Sequence, residues 1–145
     1  MTAILLSLSL LLACVTSEST PPAPPESAII HLSPEGGLPY SQTAYAQHGA
    51  NYTTAPPTLS ASATANAVTV SIDGLNHVCK PAPVFEIAAA DSLLTLTVKK
   101  PEGAVTRCAG PHDVTLAVDD LPAALSEVVL LNTAGDELGR VAISR

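Results

Sequence analysis

The sequence contains no tryptophan and a single phenylalanine among its 145 residues. Stacked aromatic rings form the contact platform of many proteins that bind sugars or single-stranded nucleic acids, and this chain lacks the residues for one. Cations are scarce as well, since six Lys and Arg stand against 13 Asp and Glu and the formal net charge is −7. No basic stripe is present to bind a phosphate backbone or to adsorb to an anionic membrane. We therefore expect no nucleic-acid partner.

Motifs of the common enzyme classes are also absent. The sequence has no G-x-S-x-G nucleophile elbow, no H-E-x-x-H zinc motif, no glycine-rich phosphate loop and no EF-hand spacing. Carboxylates are adjacent in Asp119-Asp120 and Asp136-Glu137, and His112 stands next to Asp113. Adjacency in a loop does not supply the separation and the shifted pKa values that acid–base catalysis needs. The sequence predicts a non-enzymatic protein with these residues in solvated turns.

The N-terminal segment is an apolar run, residues 4–13, that ends at Cys14. This run is well short of the roughly twenty apolar residues that a membrane-spanning helix needs, which favours a cleaved segment. The residues Leu11-Leu12-Ala13-Cys14 resemble the lipobox of bacterial lipoprotein precursors. In that family the chain is cut before the cysteine, and the new N-terminal thiol carries lipid. The resemblance covers only the first 14 residues, and it implies a signal peptide over residues 1–13 and a covalent lipid on Cys14. We expect no other cofactor.

Residues 14–27 are rich in Ser, Thr and Pro, a composition that favours an extended spacer over a packed core. With a lipid on Cys14, this segment becomes a tether that holds the rest of an exported protein at the cell envelope. Val15 stands where an Asp would resemble an inner-membrane retention signal, which favours the outer membrane. The alternative is ordinary secretion with cleavage near Ser17, which leaves Cys14 in the discarded peptide.

Two further cysteines, Cys79 and Cys108, form an even pair. Outside the cytoplasm such a pair oxidises, so we predict a disulfide that encloses about thirty residues. The alternative is a zinc or copper site made of His77, Cys79, Cys108 and His112, because each cysteine has a histidine nearby in the chain. The two interpretations compete, since a disulfide sulfur is no longer the thiolate that binds metal.

Period-two alternation of apolar and polar residues begins near Asn66 and places successive side chains on opposite faces of a sheet. Asp73-Gly74 is expected to form a tight turn after the first strand, and Pro81 and Pro83 confine the second to an edge or a strand start. Six strands are predicted, within residues 68–73, 84–87, 94–99, 114–119, 128–131 and 141–143, and residues 28–32 are a candidate seventh. The sequence therefore predicts an antiparallel all-β sandwich domain over residues 66–145, after an irregular or first-strand segment over residues 28–65. The last eighty residues are similar to small immunoglobulin-like domains of bacterial exported proteins, a resemblance of fold that implies no catalytic residue and no particular ligand.

All three tyrosines, Tyr40, Tyr45 and Tyr52, lie in the segment 28–65. They are candidates for a contact surface toward a protein or a glycan, because rigid amphipathic rings supply contact area at low entropic cost. The alternative is local packing against the sandwich edge. Together these observations predict a lipid-anchored, non-enzymatic envelope protein whose sandwich presents loops or an edge strand to a partner; metal binding through the Cys/His set is the alternative function.

Overall fold

The computed structural model describes residues 29–31, 37–49, 51–105 and 107–145, with side chains from residue 37 onward. The predicted signal peptide (residues 1–13), the predicted lipid site Cys14 and the predicted tether (residues 14–27) all lie outside the described residues. Within the described ranges, no helix is long and apolar enough to cross a bilayer.

The described chain is a β-sandwich, which confirms the predicted fold class. It contains nine strands: β1 (Ile29–His31), β2 (Tyr40–Gln47), β3 (Thr58–Ala63), β4 (Val68–Val78), β5 (Phe85–Ala90), β6 (Leu93–Val98), β7 (Ala109–Val118), β8 (Glu127–Leu131) and β9 (Glu137–Ala142). One sheet has the order β1-β2-β7-β4-β3 and the other the order β5-β6-β8-β9. The edge position of β5 agrees with the two prolines that precede it.

The sandwich begins earlier in the chain than residue 66. Strands β2 and β3 lie in the segment 28–65, which was expected to be irregular or to hold one strand, and both pair within the five-stranded sheet. The first half of β2 buries Tyr40 and Gln42, but every residue from Thr43 to Gln47 is exposed, so the strand shows no sustained alternation. β3 is composed mostly of small and polar residues. Neither strand carries the apolar alternation on which the prediction relied.

One strand pair departs from the expected antiparallel pairing. β6 and β8 are parallel neighbours, whereas the other pairs of strands are antiparallel in the part of the chain that the structure describes. The chain leaves the four-stranded sheet after β6, runs through β7 in the opposite sheet, and returns as β8 in its original direction. A crossover between two sheets replaces the hairpin that an antiparallel neighbour would use.

The core lies between the two sheets and is almost entirely aliphatic. Its fully buried members come from both inner faces: Val70, Ile72, Phe85, Ile87, Leu94, Leu96, Leu116, Val118, Val128 and Leu130. Both sheets contribute alternate residues, as the pattern of β6 and β7 shows most regularly. Burial of these side chains is the main stabilising term of the fold.

Backbone hydrogen bonds join the sheets along both sides of the sandwich. On one side, Ala63 N–H donates to Ser144 O (2.8 Å), and Ser144 N–H donates to Ala61 O (3.0 Å). On the other, Leu38 N–H donates to Ile87 O (2.8 Å). These bonds occupy polar groups at sheet edges that otherwise offer templates for pairing with other chains.

The predicted turn at Asp73-Gly74 is wrong, because β4 continues through these residues to Val78. The register between β4 and β7 shifts between Ile72 and Leu75, and Gly74 adopts φ +78° in this bulge. Its N–H donates to Asp113 Oδ1 on β7 (2.9 Å). The extra residue changes the phase of the strand, so that Ile72 and Leu75, three positions apart, both face the core.

A buried phenol links the two sheets, and its removal is a test of the packing. Tyr40 Oη accepts a hydrogen bond from Phe85 N–H (2.9 Å), and Tyr40 is only 2% exposed. Tyr40→Phe should therefore lower the free energy of unfolding by about 1–2 kcal/mol at neutral pH, because the buried Phe85 N–H loses its acceptor. Chemical denaturation measures this, and Tyr52→Phe, at a 66% exposed position, should change nothing.

The same phenol predicts an alkaline limit to stability. Burial raises the pKa of Tyr40 above its ordinary value of 10.0, and the hydrogen bond from Phe85 acts in the opposite direction. The unfolded chain then ionises this tyrosine first, so its contribution to stability is present below pH 10 and is lost as the pH rises toward the pKa of the folded state. Tyr40→Phe should have a shallower loss of stability above pH 10 than the natural chain.

Candidate functional site

The most distinctive chemistry of the described chain lies where β4 ends and β7 begins. We call this part of the sandwich the disulfide end and define it by Gln47, His77, Cys79, Cys108 and His112. Cys79 and Cys108 form the predicted disulfide, with Cα atoms 5.6 Å apart. A backbone hydrogen bond from Cys79 N–H to Cys108 O (3.0 Å) continues the ladder between the two strands.

Two histidines are buried side by side at this end. His77 is 7% exposed and His112 is fully buried, and their ring centroids are 5.9 Å apart with the planes at 86°. The bulge at Gly74 explains the position of His77, because after it the odd-numbered residues of β4 face the core. His112 faces the same interior from β7, where it pairs with Leu75. With the two cysteines in a disulfide, the sequence placed His77 and His112 in loops or at the surface beside the bridge. This expectation is wrong, because both lie buried on strands with their rings in contact.

Backbone carbonyls set the tautomer of each imidazole. His77 Nδ1 lies 3.0 Å from Val78 O, and His112 Nδ1 lies 2.9 Å from Gly110 O. A carbonyl oxygen only accepts, so each Nδ1 carries the proton and, in the neutral ring, each Nε2 has a free lone pair. Both Nε2 atoms are buried and have no hydrogen-bond partner among the described residues.

Burial lowers the pKa of His77, although the hydrogen bond to Val78 O acts in the opposite direction. A cationic His112 nearby would lower it further. The neutral form of His77, with its lone pair on Nε2, is therefore favoured at neutral pH. In this state the nitrogen is able to accept a hydrogen bond or to bind a metal ion.

Two side chains of β2, the strand next to β7, contact the disulfide end. The Tyr45 ring stacks on His112 with centroids 5.4 Å apart and planes at 24°. Gln47 Nε2 lies 2.8 Å from Cys79 Sγ and donates also to Gly49 O (2.9 Å). The sequence did not single out Gln47, because the register of β2 against β7, which pairs Gln47 with His112, carries no local signal.

The three tyrosines do not form one contact surface. Tyr40 lies in the core, so its assignment to such a surface is wrong; its ring meets Phe85 edge-on at 6.1 Å. Tyr45 is 39% exposed and Tyr52 is 66% exposed. Both exposed rings lie near the disulfide end: Tyr45 rests on His112, and Tyr52 lines a surface cavity together with His77.

His77 lies between two cavities. One has a volume of about 340 Å³ and is lined also by Pro81, Val84 and Lys99, among others. The other, of about 230 Å³, is the cavity that Tyr52 lines. His77 is thus the buried polar side chain that both cavities reach, and the first is large enough to admit a small ligand.

The alternative metal site of His77, Cys79, Cys108 and His112 does not form as a set of four ligands. Its two sulfurs are bonded to each other, which removes both thiolates as ligands. In the described part of the chain, no three or more His, Cys, Asp or Glu side chains are grouped so that they could hold a metal ion. What remains of the set is the histidine pair.

The prediction of a solvated turn at His112-Asp113 is wrong, because both residues lie on β7 and His112 is fully buried. The two side chains point in opposite directions, as neighbours on a strand do. Asp113 faces outward and is 40% exposed, with Oδ2 2.6 Å from His48 Nε2. Asp119 and Asp120 are exposed directly after β7. At the other acidic pair, Asp136 Oδ2 accepts from Asn132 (3.0 Å) in an exposed hairpin loop and Glu137 pairs with Arg140 (2.8 Å). These carboxylates hold turns and strand pairs at the surface and do not meet the buried histidines.

Comparison with known proteins assigns neither a family nor a function to this chain. No family model, no curated protein and no solved structure matches this chain.

Proposed function

We propose that this protein is a lipid-anchored, non-enzymatic envelope protein whose sandwich serves as a rigid carrier for a binding site at the disulfide end. The observation that carries the proposal is the meeting of two cavities at His77, in a part of the fold that a disulfide holds in place. Binding sites are typically concave, largely preformed and lined by a few placed polar groups.

The surroundings of the cavities support a binding role. The cavity that Tyr52 lines also contains Asn76, whose side-chain amide donates to Thr53 O (2.7 Å) and accepts from Thr53 N–H (3.0 Å). These two hydrogen bonds hold the segment that precedes β3 against β4. The exposed Tyr52 therefore stands on a segment that is fixed in place. Rigid aromatic rings on fixed backbone bind at low entropic cost.

The anchor in this proposal rests on the lipobox-like residues 11–14 and on the proline-rich segment 14–27. A lipid on Cys14 would hold the sandwich near a membrane, while an extended tether of about 3 Å per residue would leave the disulfide end free to meet ligands. An acidic chain gains little from adsorption to anionic lipid, so the covalent lipid would be the whole anchor.

Replacement of the acylated cysteine tests the anchor. In the natural host, Cys14→Ser should prevent lipid attachment, and the chain should lose its lipid-modified mature form and either leave the membrane fraction or accumulate as the unprocessed precursor. Fractionation with detergent, together with the mass of the mature N-terminus, measures both. The double variant Cys79→Ser/Cys108→Ser is the matched control, because it alters two cysteines and should keep the lipid. Identical processing and fractionation of Cys14→Ser and the natural chain would contradict the anchor.

A further inference from the structure

His77 and His112, the two histidines of the disulfide end, each have one ring nitrogen that lacks a hydrogen-bond partner among the described residues. Each Nε2 is a buried acceptor without a partner among the described residues. A buried polar atom left without a partner costs about 1–3 kcal/mol, and native proteins keep few of them. The two rings are in contact and each has its other nitrogen fixed to a carbonyl, so a single occupant between the rings would satisfy both Nε2 atoms.

We infer that His77 and His112 form a two-nitrogen site for a monovalent copper ion, Cu⁺. Two imidazoles that share one ion at about 2.0–2.1 Å from each nitrogen have ring centroids roughly 5.2 Å apart at a tetrahedral N–metal–N angle and roughly 6.4 Å apart at a linear one. The observed separation of 5.9 Å falls between these limits and corresponds to an angle of roughly 135°. This angle is wider than the tetrahedral angle of Zn²⁺ sites, and Cu⁺, a soft ion, accepts two nitrogen ligands at wide angles.

The second coordination shell is already in place. Metal-binding histidines almost always donate their other N–H to a carbonyl or a carboxylate, which fixes the ring and raises the basicity of the ligating nitrogen. Val78 O and Gly110 O do this for His77 and His112. The Tyr45 ring lies flat on His112 and limits its reorientation from the outer side.

The absence of further ligands in the described region selects the metal. Zn²⁺ takes four ligands in structural sites and at least three from the protein in catalytic sites, whereas the described residues bring no third His, Cys, Asp or Glu to this pair. Two neutral imidazoles also supply no negative charge. Since the cost of burying an ion rises with the square of its charge, a monovalent ion fits this buried pair better than a divalent one.

The neighbouring charges favour the same choice. Lys99 lines the 340 Å³ cavity on which His77 opens, and its ammonium lies 2.6 Å from Glu86 Oε2. Lys100 and Glu102 also line this cavity. These two lysines and two glutamates balance in charge, so the cavity supplies no net negative charge to offset a divalent ion, whose burial costs more than that of a monovalent one.

A competition titration tests the site. The full chain, purified in detergent with its disulfide intact, is mixed under ascorbate and without oxygen with Cu⁺ held by a coloured chelator. We expect the protein to remove one equivalent of Cu⁺ from the chelator. His77→Gln and His112→Gln should each weaken this binding by at least about 100-fold, because each removes one of only two ligands.

The matched control is His48→Gln, which alters an exposed histidine paired with Asp113 and should bind Cu⁺ like the natural chain. Loss of binding in this control, or equal binding by all variants, would place the ion elsewhere and overturn the site. No uptake by the natural chain would also overturn it and would leave a water molecule that donates to both Nε2 atoms as the occupant. Tighter binding of Zn²⁺ than of Cu⁺ would overturn the choice of metal.

X-ray absorption of the copper-loaded natural chain gives an answer that does not depend on the folding of a variant. Two nitrogen neighbours without sulfur are expected, and sulfur in the first shell would contradict the site. The inference is independent of the lipid anchor, because Cys14→Ser protein should take up Cu⁺ equally. Failure of the copper site and failure of the anchor are therefore separate results.

Discussion

Replacement of Cys79 and Cys108 together by alanine should lower the free energy of unfolding by about 3.5 kcal/mol. The bond joins residues 29 positions apart, and in the chain-entropy model a crosslink over such a loop restricts the unfolded chain by this amount. The loss is a large share of the roughly 5–15 kcal/mol that stabilises a typical domain. For a domain of this size the midpoint of thermal unfolding should fall by about 15–25 °C. Calorimetry of the full chain measures both quantities.

Two comparisons isolate the crosslink from the loss of the side chains. Chemical reduction of the natural chain should produce nearly the same destabilisation as the double alanine variant, because both open the same loop. Cys14→Ala should leave the unfolding transition unchanged, since the first strand that the structure describes begins only at Ile29. A double variant as stable as the oxidised natural chain would show that the bond does not constrain the unfolded state.

Opening the bond should act most strongly on the disulfide end. β4 and β7 remain paired along their length, with Val78 opposite Ala109, so we expect the sandwich to persist without the bond. Gln47 would lose the disulfide sulfur that its amide now contacts. Hydrogen exchange of His77 and His112 backbone amides should accelerate more than that of Leu94 and Leu96 in the opposite sheet.

The fold was predictable from sequence wherever a strand alternates between core and surface. The bounds predicted for β6 and β8 agree with the observed Leu93–Val98 and Glu127–Leu131 to within one residue, because their buried positions repeat every second residue or form a continuous apolar run. β2 and β3, in the segment 28–65, were missed because neither shows sustained apolar alternation. β3 has the sequence TLSASA, in which small side chains serve buried and exposed positions alike.

Bulges limited the prediction of the site. A glycine with positive φ is equally suited to a tight turn and to a bulge, and only pairing with a distant strand decides between them. The register shift at Gly74 is what turns His77 inward, and a second shift between Gln42 and Ala44 places Tyr45 opposite the buried Val114. The pairing of the cysteines needed no such information, because the prediction of a lipid on Cys14 left Cys79 and Cys108 to pair with each other.

The side chains that contact the histidines could not be predicted from the sequence either, because they too depend on how distant strands pair. Tyr45 and Gln47 meet His112 and Cys79 across strands that are far apart in the chain, through the pairing of β2 with β7. By contrast, the two carbonyls that fix the imidazoles belong to residues within two positions of each histidine. The local half of the site was encoded in two short segments, and the long-range half arises from sheet register.

Phe85→Ala should destabilise the sandwich by about 3–5 kcal/mol, the second large effect that we expect. Phe85 is the single phenylalanine of the chain and is fully buried at the start of β5. Its removal leaves a void in a core of aliphatic side chains and also removes the edge-on contact with Tyr40, whose centroid is 6.1 Å away. Chemical denaturation should show a lower midpoint with an unchanged slope, because the folded state keeps its extent.

Graded replacement separates lost volume from lost aromatic contact. Phe85→Leu should destabilise the fold less than Phe85→Ala, since leucine keeps most of the apolar volume. The loss of stability that Phe85→Leu still causes should reflect the lost ring contact with Tyr40, so the effects of Phe85→Leu and a Tyr40 substitution should not add. Tyr52→Ala is the matched control, as it removes an aromatic ring that is 66% exposed and should change stability by less than about 0.5 kcal/mol. Equal effects of Phe85→Ala and Tyr52→Ala would contradict the placement of Phe85 at the centre of the core. Val84, the residue before Phe85, lines the cavity beside His77. Loss of the Phe85 ring should therefore also disturb the wall of this cavity, while His77 and His112, the proposed copper ligands, stay in place.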